Sequence, residues 1–140
     1  MAKYKKKLDA DIRCPLEYGL TIFGGKSGEY PQKLYKALMN SQTVLTVWDD
    51  ARLVGLIRVL DDSEMLAQIH YVLVHPEYQG QGIAGRMVEY IKEKYKNFMY
   101  LELMPEDKNN VPFYEKHGFH VMENGAAMQI CNICLLYTSP

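Results

Sequence analysis

Between His75 and Met87 the chain reads HPEYQGQGIAGRM, which sets Pro76, Gly80, Gly82 and Gly85 close together. The strand-forming run IHYVLV precedes this stretch and the helix-forming run MVEYIKEKYK follows it, so the glycines stand at the mouth of a β-to-α turn. The first amides of a helix have no partners within it, and the helix dipole adds partial positive charge there. Such a turn suits an anion, phosphate first. Gly80 and Gly82 remove side chains that would keep a phosphate from the amides, while Ala84 and Gly85 keep the first helical turn small. A tight connection that needs glycine only for positive φ fits the same residues equally well. Near the C-terminus, Cys131 and Cys134 in CNIC have the spacing of half a zinc site or of a redox dithiol. No second ligand pair stands elsewhere and no helix pattern follows that would lower a thiol pKa, so no metal is expected.

The elements that must hold the glycine turn follow from periodicity. KYKKKL reads as a short edge strand, its lysines discouraging sheet-edge association. PLEYGLTIF reads as a helix ended by Gly24 and Gly25, and GEYPQKLYKALMN as a second, with Leu34, Leu38 and Met39 on its apolar face. TVLTVW and RLVGLIRVL form a hairpin about Asp49, Asp50 and Ala51, and MLAQIHYVLV is the next strand. After the turn a helix runs from Gly82 to about Tyr95 with Ile83, Met87 and Ile91 buried, and FMYLELM is a strand. NNVPFYEKHG is a short helix capped by Asn109 or Asn110 and stopped by Gly118, and FHVM with AAMQICN makes a last hairpin about Glu123, Asn124 and Gly125. This order predicts an α/β fold of the mixed, α+β kind: a twisted sheet of about six to seven strands with helices on both faces.

Composition bounds the rest. The chain of 140 residues, 48% apolar and with eleven tyrosines, can bury one core without disulfides. Sixteen Lys and Arg against seventeen Asp and Glu give a net charge of -1, which argues against a nucleic-acid partner. No apolar run approaches a bilayer span, and MAKYKKKLDADIR runs into aspartates instead of an apolar signal core. A cytoplasmic protein without membrane partners is expected.

At QGQGIA the chain resembles the GCN5-related N-acetyltransferases, whose signature is Gln or Arg, two residues, Gly, one residue, then Gly or Ala. Gln79, Gly82 and Ala84 fill it. A second marker, Phe-Tyr before Gly-Phe, is filled by FYEKHGF from Phe113 to Phe119, and the element order is also that of the family. The resemblance runs from about Gly28 to Asn132. It implies that the loop of Gln79, Gly80, Gln81, Gly82, Ile83, Ala84 and Gly85 cradles the pyrophosphate of acetyl-CoA as co-substrate. It also implies that the strand through Val72, Leu73 and Val74 pairs its backbone with the pantetheine arm, with the N–H near Val72 or Leu73 holding the thioester oxygen. The family often places Asn seven residues before the motif tyrosine; Asp107 stands there, and Asn110 is taken as the nearby cofactor contact.

Direct acetyl transfer to a primary amine needs two proton handlers, one to deprotonate the ammonium and one to protonate the departing thiolate. Tyr114 is the acid candidate, since a phenol of reference pKa about 10 keeps its proton at neutral pH. For the base, alternation along QIHYVLV puts Gln68, His70 and Val72 on one face, and the family's base often comes from such positions. His70 is therefore the first candidate, a water chain is as good a reading, and Glu102 is held in reserve. His75 is read as a loop residue and His117 and His120 as structural. The acceptor is an amine of a small molecule or of a protein.

The ends depart from the family. RCPLEYGLTIFGGK, Arg13 to Lys26, resembles the opening of a small bacterial winged-helix regulator family in which the cysteine equivalent to Cys14 can sense oxidants, and CLLYTSP is similar to translated linker sequence. The expected organisation is an atypical, foreign segment over 1–27, an N-acetyltransferase domain over 28–133 and a non-native tail over 134–140. A catalytically silent acyl-CoA-binding module and a thiol-responsive DNA-binding regulator are the alternatives. The hairpin in FHVMENGAAMQICN offers an edge for a homodimer.

Overall fold

The computed structural model describes residues 3–5 and 30–132, and the chain divides into two compact units, 1–103 and 104–140. The PLEYGLTIF helix, Cys14, Cys134 and, apart from Lys3–Lys5, the segments 1–27 and 134–140 lie outside the described residues. The first unit is a five-stranded sheet in the order β1 (Lys3–Lys5), β2 (Thr43–Asp49), β3 (Arg52–Asp61), β4 (Leu66–Val74), β5 (Tyr100–Leu103). The first four strands pair antiparallel in sequence and β5 joins β4 in parallel, so the sheet is mixed, and β1 is its edge as its lysines suggest. The hairpin between β2 and β3 turns through Asp50, at φ +50°, and Ala51.

Helices α1 (Pro31–Met39) and α2 (Ile83–Lys94) cover opposite faces. Proline opens α1, where its missing N–H is no loss. Leu34 and Leu38 of α1 pack with Val44, Trp48, Leu53 and Leu56, flanked by Tyr71 and Leu73. Met39, expected on that buried face, is exposed, because it falls a full 100° beyond Leu38 at the helix end. On the other face α2 buries Ile83, Met87, Val88 and Ile91 against the sheet. Gly55 of β3 sits beneath the start of α2: a Cβ there would lie 3.1 Å from Ile83 Cγ2 and 3.2 Å from Val47 Cβ. Close approach of helix to sheet is what requires glycine at this position.

The far end of α2 is tied down by a buried network. The Tyr95 hydroxyl, at the C-cap, donates to Asp61 Oδ2 at 2.6 Å and accepts from Thr43 Oγ1 at 2.6 Å, joining the helix to both β2 and β3.

In the second unit a 3₁₀ turn, Lys108–Asn110, leads into α3 (Val111–Lys116), which ends at Gly118 with φ +93°. The capping expected of Asn109 or Asn110 falls instead to Asp107, whose carboxylate accepts from Asn109 N–H at 2.9 Å, while Asn110 makes no side-chain cap. Residues 119–132 contain no strand: only a turn, closed by Gly125 N–H to the Met122 carbonyl at 3.1 Å, marks the expected hairpin. Val121, Met122, Met128 and Ile130 are exposed, so the two runs lack the third layer a hairpin needs for its apolar face. The described residues thus show five strands, where six to seven were expected, and no helix among them is long and apolar enough to cross a membrane.

Burial, and then the Asp61 carboxylate, push the Tyr95 phenol up to about 12. Its folded pKa exceeds the unfolded value, so the network's contribution is intact below about pH 10 and is lost as pH climbs through the folded value. Tyr95→Phe is expected to cost about 1–2 kcal/mol at neutral pH, since it strands Asp61 and Thr43. Urea melts should also show the variant losing less stability than the parent between about pH 10 and pH 12; parallel loss in both would disprove the assignment.

Candidate active site

The β-to-α turn expected around the glycines is present. His75, buried in the described structure, opens it: its N–H bonds the Val54 carbonyl at 2.8 Å, and its Nδ1 accepts from Glu77 N–H at 3.1 Å to cap the 3₁₀ turn Pro76–Tyr78. It is thus a structural cap, more than the loop residue expected. The Tyr78 hydroxyl donates to Asp49, and Arg52 pairs with Glu77 at 3.0 Å, so both contacts fasten this turn to the β2–β3 hairpin. Hydrogen bonding to the Asp49 carboxylate holds the Tyr78 phenol above its ordinary range, so it remains a donor.

Gly80 and Gly82 both have left-handed backbones, at φ +80° and +81°, and Gly82 is the N-cap of α2. A side chain at either position would be strained. A Cβ built on either glycine meets nothing within 4 Å, so the space in front of the turn is also open. The positive φ values account for both glycines as a tight connection, and the open space in front of them leaves room for an anion. The first bond inside α2 is Arg86 N–H to the Gly82 carbonyl at 3.1 Å, which leaves the N–H groups of Ile83, Ala84 and Gly85 without helical partners. No side chain caps this end and its first turn holds no acidic residue. Unscreened amides beside open space, at a positive dipole end, fit a phosphate or pyrophosphate. Gln79 folds back, its Nε2 donating to the Val74 carbonyl at 3.3 Å.

Strand β4 changes character in its middle. Its parallel ladder with β5 ends at the Ile69–Leu103 rung, while the antiparallel ladder with β3 continues to Val74. A β-bulge intervenes: Arg58 opposes Tyr71 and Val59 opposes Ile69, so His70 is the extra residue. This corrects the alternation read from QIHYVLV. Gln68 opposes Leu60 and Val72 opposes Ile57, residues three apart on β3, so Gln68 and Val72 lie on opposite faces. The bond from His75 N–H to Val54 makes that rung a hydrogen-bonded pair, and alternation along the ladder makes Leu73 with Leu56 another. The N–H groups of Val72 and Val74 consequently point away from β3, along the edge that β5 no longer covers, whereas the Leu73 backbone faces β3.

His70 turns toward the α1 side. Arg58 carries only donors, so the 2.8 Å contact between its Nη1 and His70 Nδ1 makes Nδ1 an acceptor and leaves the proton of the neutral ring on Nε2. Arg58 Nε donates to Ser41 Oγ at 2.8 Å, and its guanidinium lies 5.8 Å from the centre of the Tyr71 ring. Glu102, half-buried, stands in register with Gln68 on the same face. Arg58 and Ser41 were not anticipated; only the interruption of an apolar strand by Arg58 in RLVGLIRVL could have signalled the first.

Tyr114 belongs to the second unit. It is half-buried, with Phe113 and Phe119 ring centres at 5.1 and 6.0 Å, and its carbonyl accepts from Phe119 N–H at 3.1 Å. Burial raises its pKa. Asn110 precedes the same helix and is exposed; the His117 ring lies 4.8 Å from that of Phe113, a packing role. Among the described residues no group of three or more His, Cys, Asp or Glu could hold a metal.

Comparison with known proteins meets this geometry from outside. The chain is 34% identical over 117 residues to an uncharacterized N-acetyltransferase in the lysA 3' region of Bacillus methanolicus, covering 83% of this chain and 92% of the relative. It is 28% identical over 99 residues to an uncharacterized ycf52-like N-acetyltransferase of Prochlorococcus marinus, covering 67% of this chain but spanning only 55% of that relative's length. Among solved structures it is similar to a probable acetyltransferase of meticillin-resistant Staphylococcus aureus, with a TM-score of 0.80 and 29% identity over 94% of this chain and 99% of the other. A predicted acetyltransferase from Clostridium acetobutylicum, crystallised with acetyl-CoA, shares the fold at a TM-score of 0.67 and 17% identity, covering 92% and 96% of the two chains. The profile of the acetyltransferase (GNAT) family matches residues 16–119, and the chain belongs to that family.

Proposed function

We propose that residues 28–133 form an acetyl-CoA-dependent N-acetyltransferase that transfers the acetyl group directly to a primary amine. The observation that carries this reading is the pairing of uncapped α2 amides and open glycine turn with the one-sided half of β4. The amides of Ile83, Ala84 and Gly85 would take the pyrophosphate, and the outward N–H and C=O of Val72 with the N–H of Val74 would pair with the amides of the pantetheine arm. Acetyl-CoA supplies the activated acyl group as a thioester. The Val72 N–H, directed outward where Leu73 is not, is the donor suited to the carbonyl oxygen as it gains charge.

The proton steps fall to side chains. The amine nitrogen forms a bond to the carbonyl carbon while its proton passes to a base; the C–S bond then breaks and the sulfur takes up a proton. Glu102 is the better base, acting directly or through one water. His70 keeps its accepting nitrogen engaged with Arg58, and protonation there would set one N–H against another. The motif assigns the acid to Tyr114, and a phenol whose pKa is raised by burial holds its proton until the thiolate needs it.

Calorimetry with acetyl-CoA, followed by CoA release with a panel of amines, tests the whole reading: binding with turnover is expected. Binding without turnover would identify a silent acyl-CoA module instead, and neither would leave the reading without support. Gly82→Ala should weaken acetyl-CoA binding and cost about 1–2 kcal/mol of stability through its left-handed backbone; undiminished affinity would remove the cradle. Tyr114→Phe should fold and bind acetyl-CoA normally while turnover falls by about 10² to 10⁴. Equal activity would reduce Tyr114 to packing. Glu102→Gln should lower turnover most near neutral pH, with recovery above about pH 9 as the amine deprotonates by itself. Should the profile change in His70→Ala and not in the Glu102 variant, the base is His70.

A further inference from the structure

We propose that Arg58 binds an anionic group of the acceptor, so that the enzyme selects compact amines carrying a carboxylate or phosphate a few bonds from the nitrogen. This inference rests on the acetyl-transfer reading above and adds the substrate class to it.

Arg58 is a half-buried guanidinium on a strand whose neighbours Ile57 and Val59 are fully buried. Burial lowers its pKa, so the charge is held at a cost. Among the described residues no carboxylate pairs with it. Its partners are neutral: the Ser41 hydroxyl at Nε, His70 Nδ1 at Nη1, and the face of Tyr71. These contacts fix the plane of the fork. They occupy two of its roughly five N–H donors and leave both terminal nitrogens with donors to spare. A planar fork held in place with free parallel donors suits bidentate recognition of carboxylate or phosphate, which would also supply the missing counter-charge.

Position on the sheet gives the anion its place in the reaction. Arg58 opposes Tyr71, one rung before Ile57 and Val72, whose N–H faces the open edge of β4. Neighbouring strands lie about 4.8 Å apart, so a guanidinium rising from β3 stands beside the strand assigned to the thioester. Gln68 and Glu102 occupy the same face on β4 and β5. An amine held by its anionic end at Arg58 can therefore offer its nitrogen between Glu102 and the Val72 rung. His70, as the donor-accepting support of the fork, becomes a positioning residue.

The test uses the full chain with matched amines that differ only in the anion: glycine against glycinamide, and phosphoethanolamine against ethanolamine. The anionic member of at least one pair should have the lower KM, and the pair that responds tells carboxylate from phosphate. Arg58→Gln should raise KM for that anionic amine by roughly 10- to 100-fold, leaving kcat within a few fold. KM for the neutral partner and the calorimetric affinity for acetyl-CoA should stay unchanged. Should Arg58→Gln fail to fold, Ser41→Ala provides the same comparison by loosening the fork, with a several-fold KM rise confined to anionic amines. Thermal stabilisation of the CoA-saturated protein by the anionic amine, absent in the variant, gives a readout that needs no turnover. Neutral amines used as well as anionic ones by both parent and variant would overturn the role of Arg58 while leaving acetyl transfer standing. Failure of the parent to bind acetyl-CoA would overturn both.

Discussion

The geometry of the candidate site depends on one interruption in hydrogen bonding. Strand β4 is bonded on both sides only as far as Ile69; beyond it, β3 continues alone. Had β5 followed, the Val72 and Val74 groups would be consumed within the sheet, and no extended ligand could add to it. The His70 bulge stands at that transition, and a bulge of this kind increases the local twist of its strand. A single extra residue at the end of the β5 ladder thus reorders which side chains share a face of β4.

The α2 helix is also held by ties at both ends that do not involve Gly80 or Gly82. At one end His75, Tyr78 and Arg52 bind the entering turn to the β2–β3 hairpin. At the other, Tyr95 joins Thr43 and Asp61. The exposed Arg52–Glu77 pair contributes little energy, since solvent screens it. The buried His75 cap and the Tyr95 network carry the restraint.

Local pattern made much of this legible. Period-two runs placed β2 to β5, period 3.6 placed α1 and α2, and the glycines around Gln79, Gly82 and Ala84 placed the β-to-α turn at the start of α2. Features that depend on partners across the sheet were not legible. Nothing in QIHYVLV announces that His70 lies outside the alternation, because a bulge is decided by the register of two strands. That Arg58 meets no carboxylate among the described residues was not legible for a related reason: sequence shows a charge, but not which charges surround it. FHVMENGAAMQICN shows the reverse error, since turn residues and apolar runs made a hairpin plausible without a surface to cover it.

Gly55 bears on how this sequence can drift. A glycine inside a central strand gives up side-chain packing and costs about 0.5–1 kcal/mol relative to alanine where a side chain has room. Here the first methyl group gained would meet Ile83 and Val47 at 3.1 and 3.2 Å. Since Ile83 is the first residue of α2, relief of that contact would lift the end of the helix that presents the free amides. A substitution in the middle of the core would therefore be inherited as a displaced helix start. The tolerance of this fold to mutation is set at such a position by the seating of α2 as well as by the packing of the strand itself.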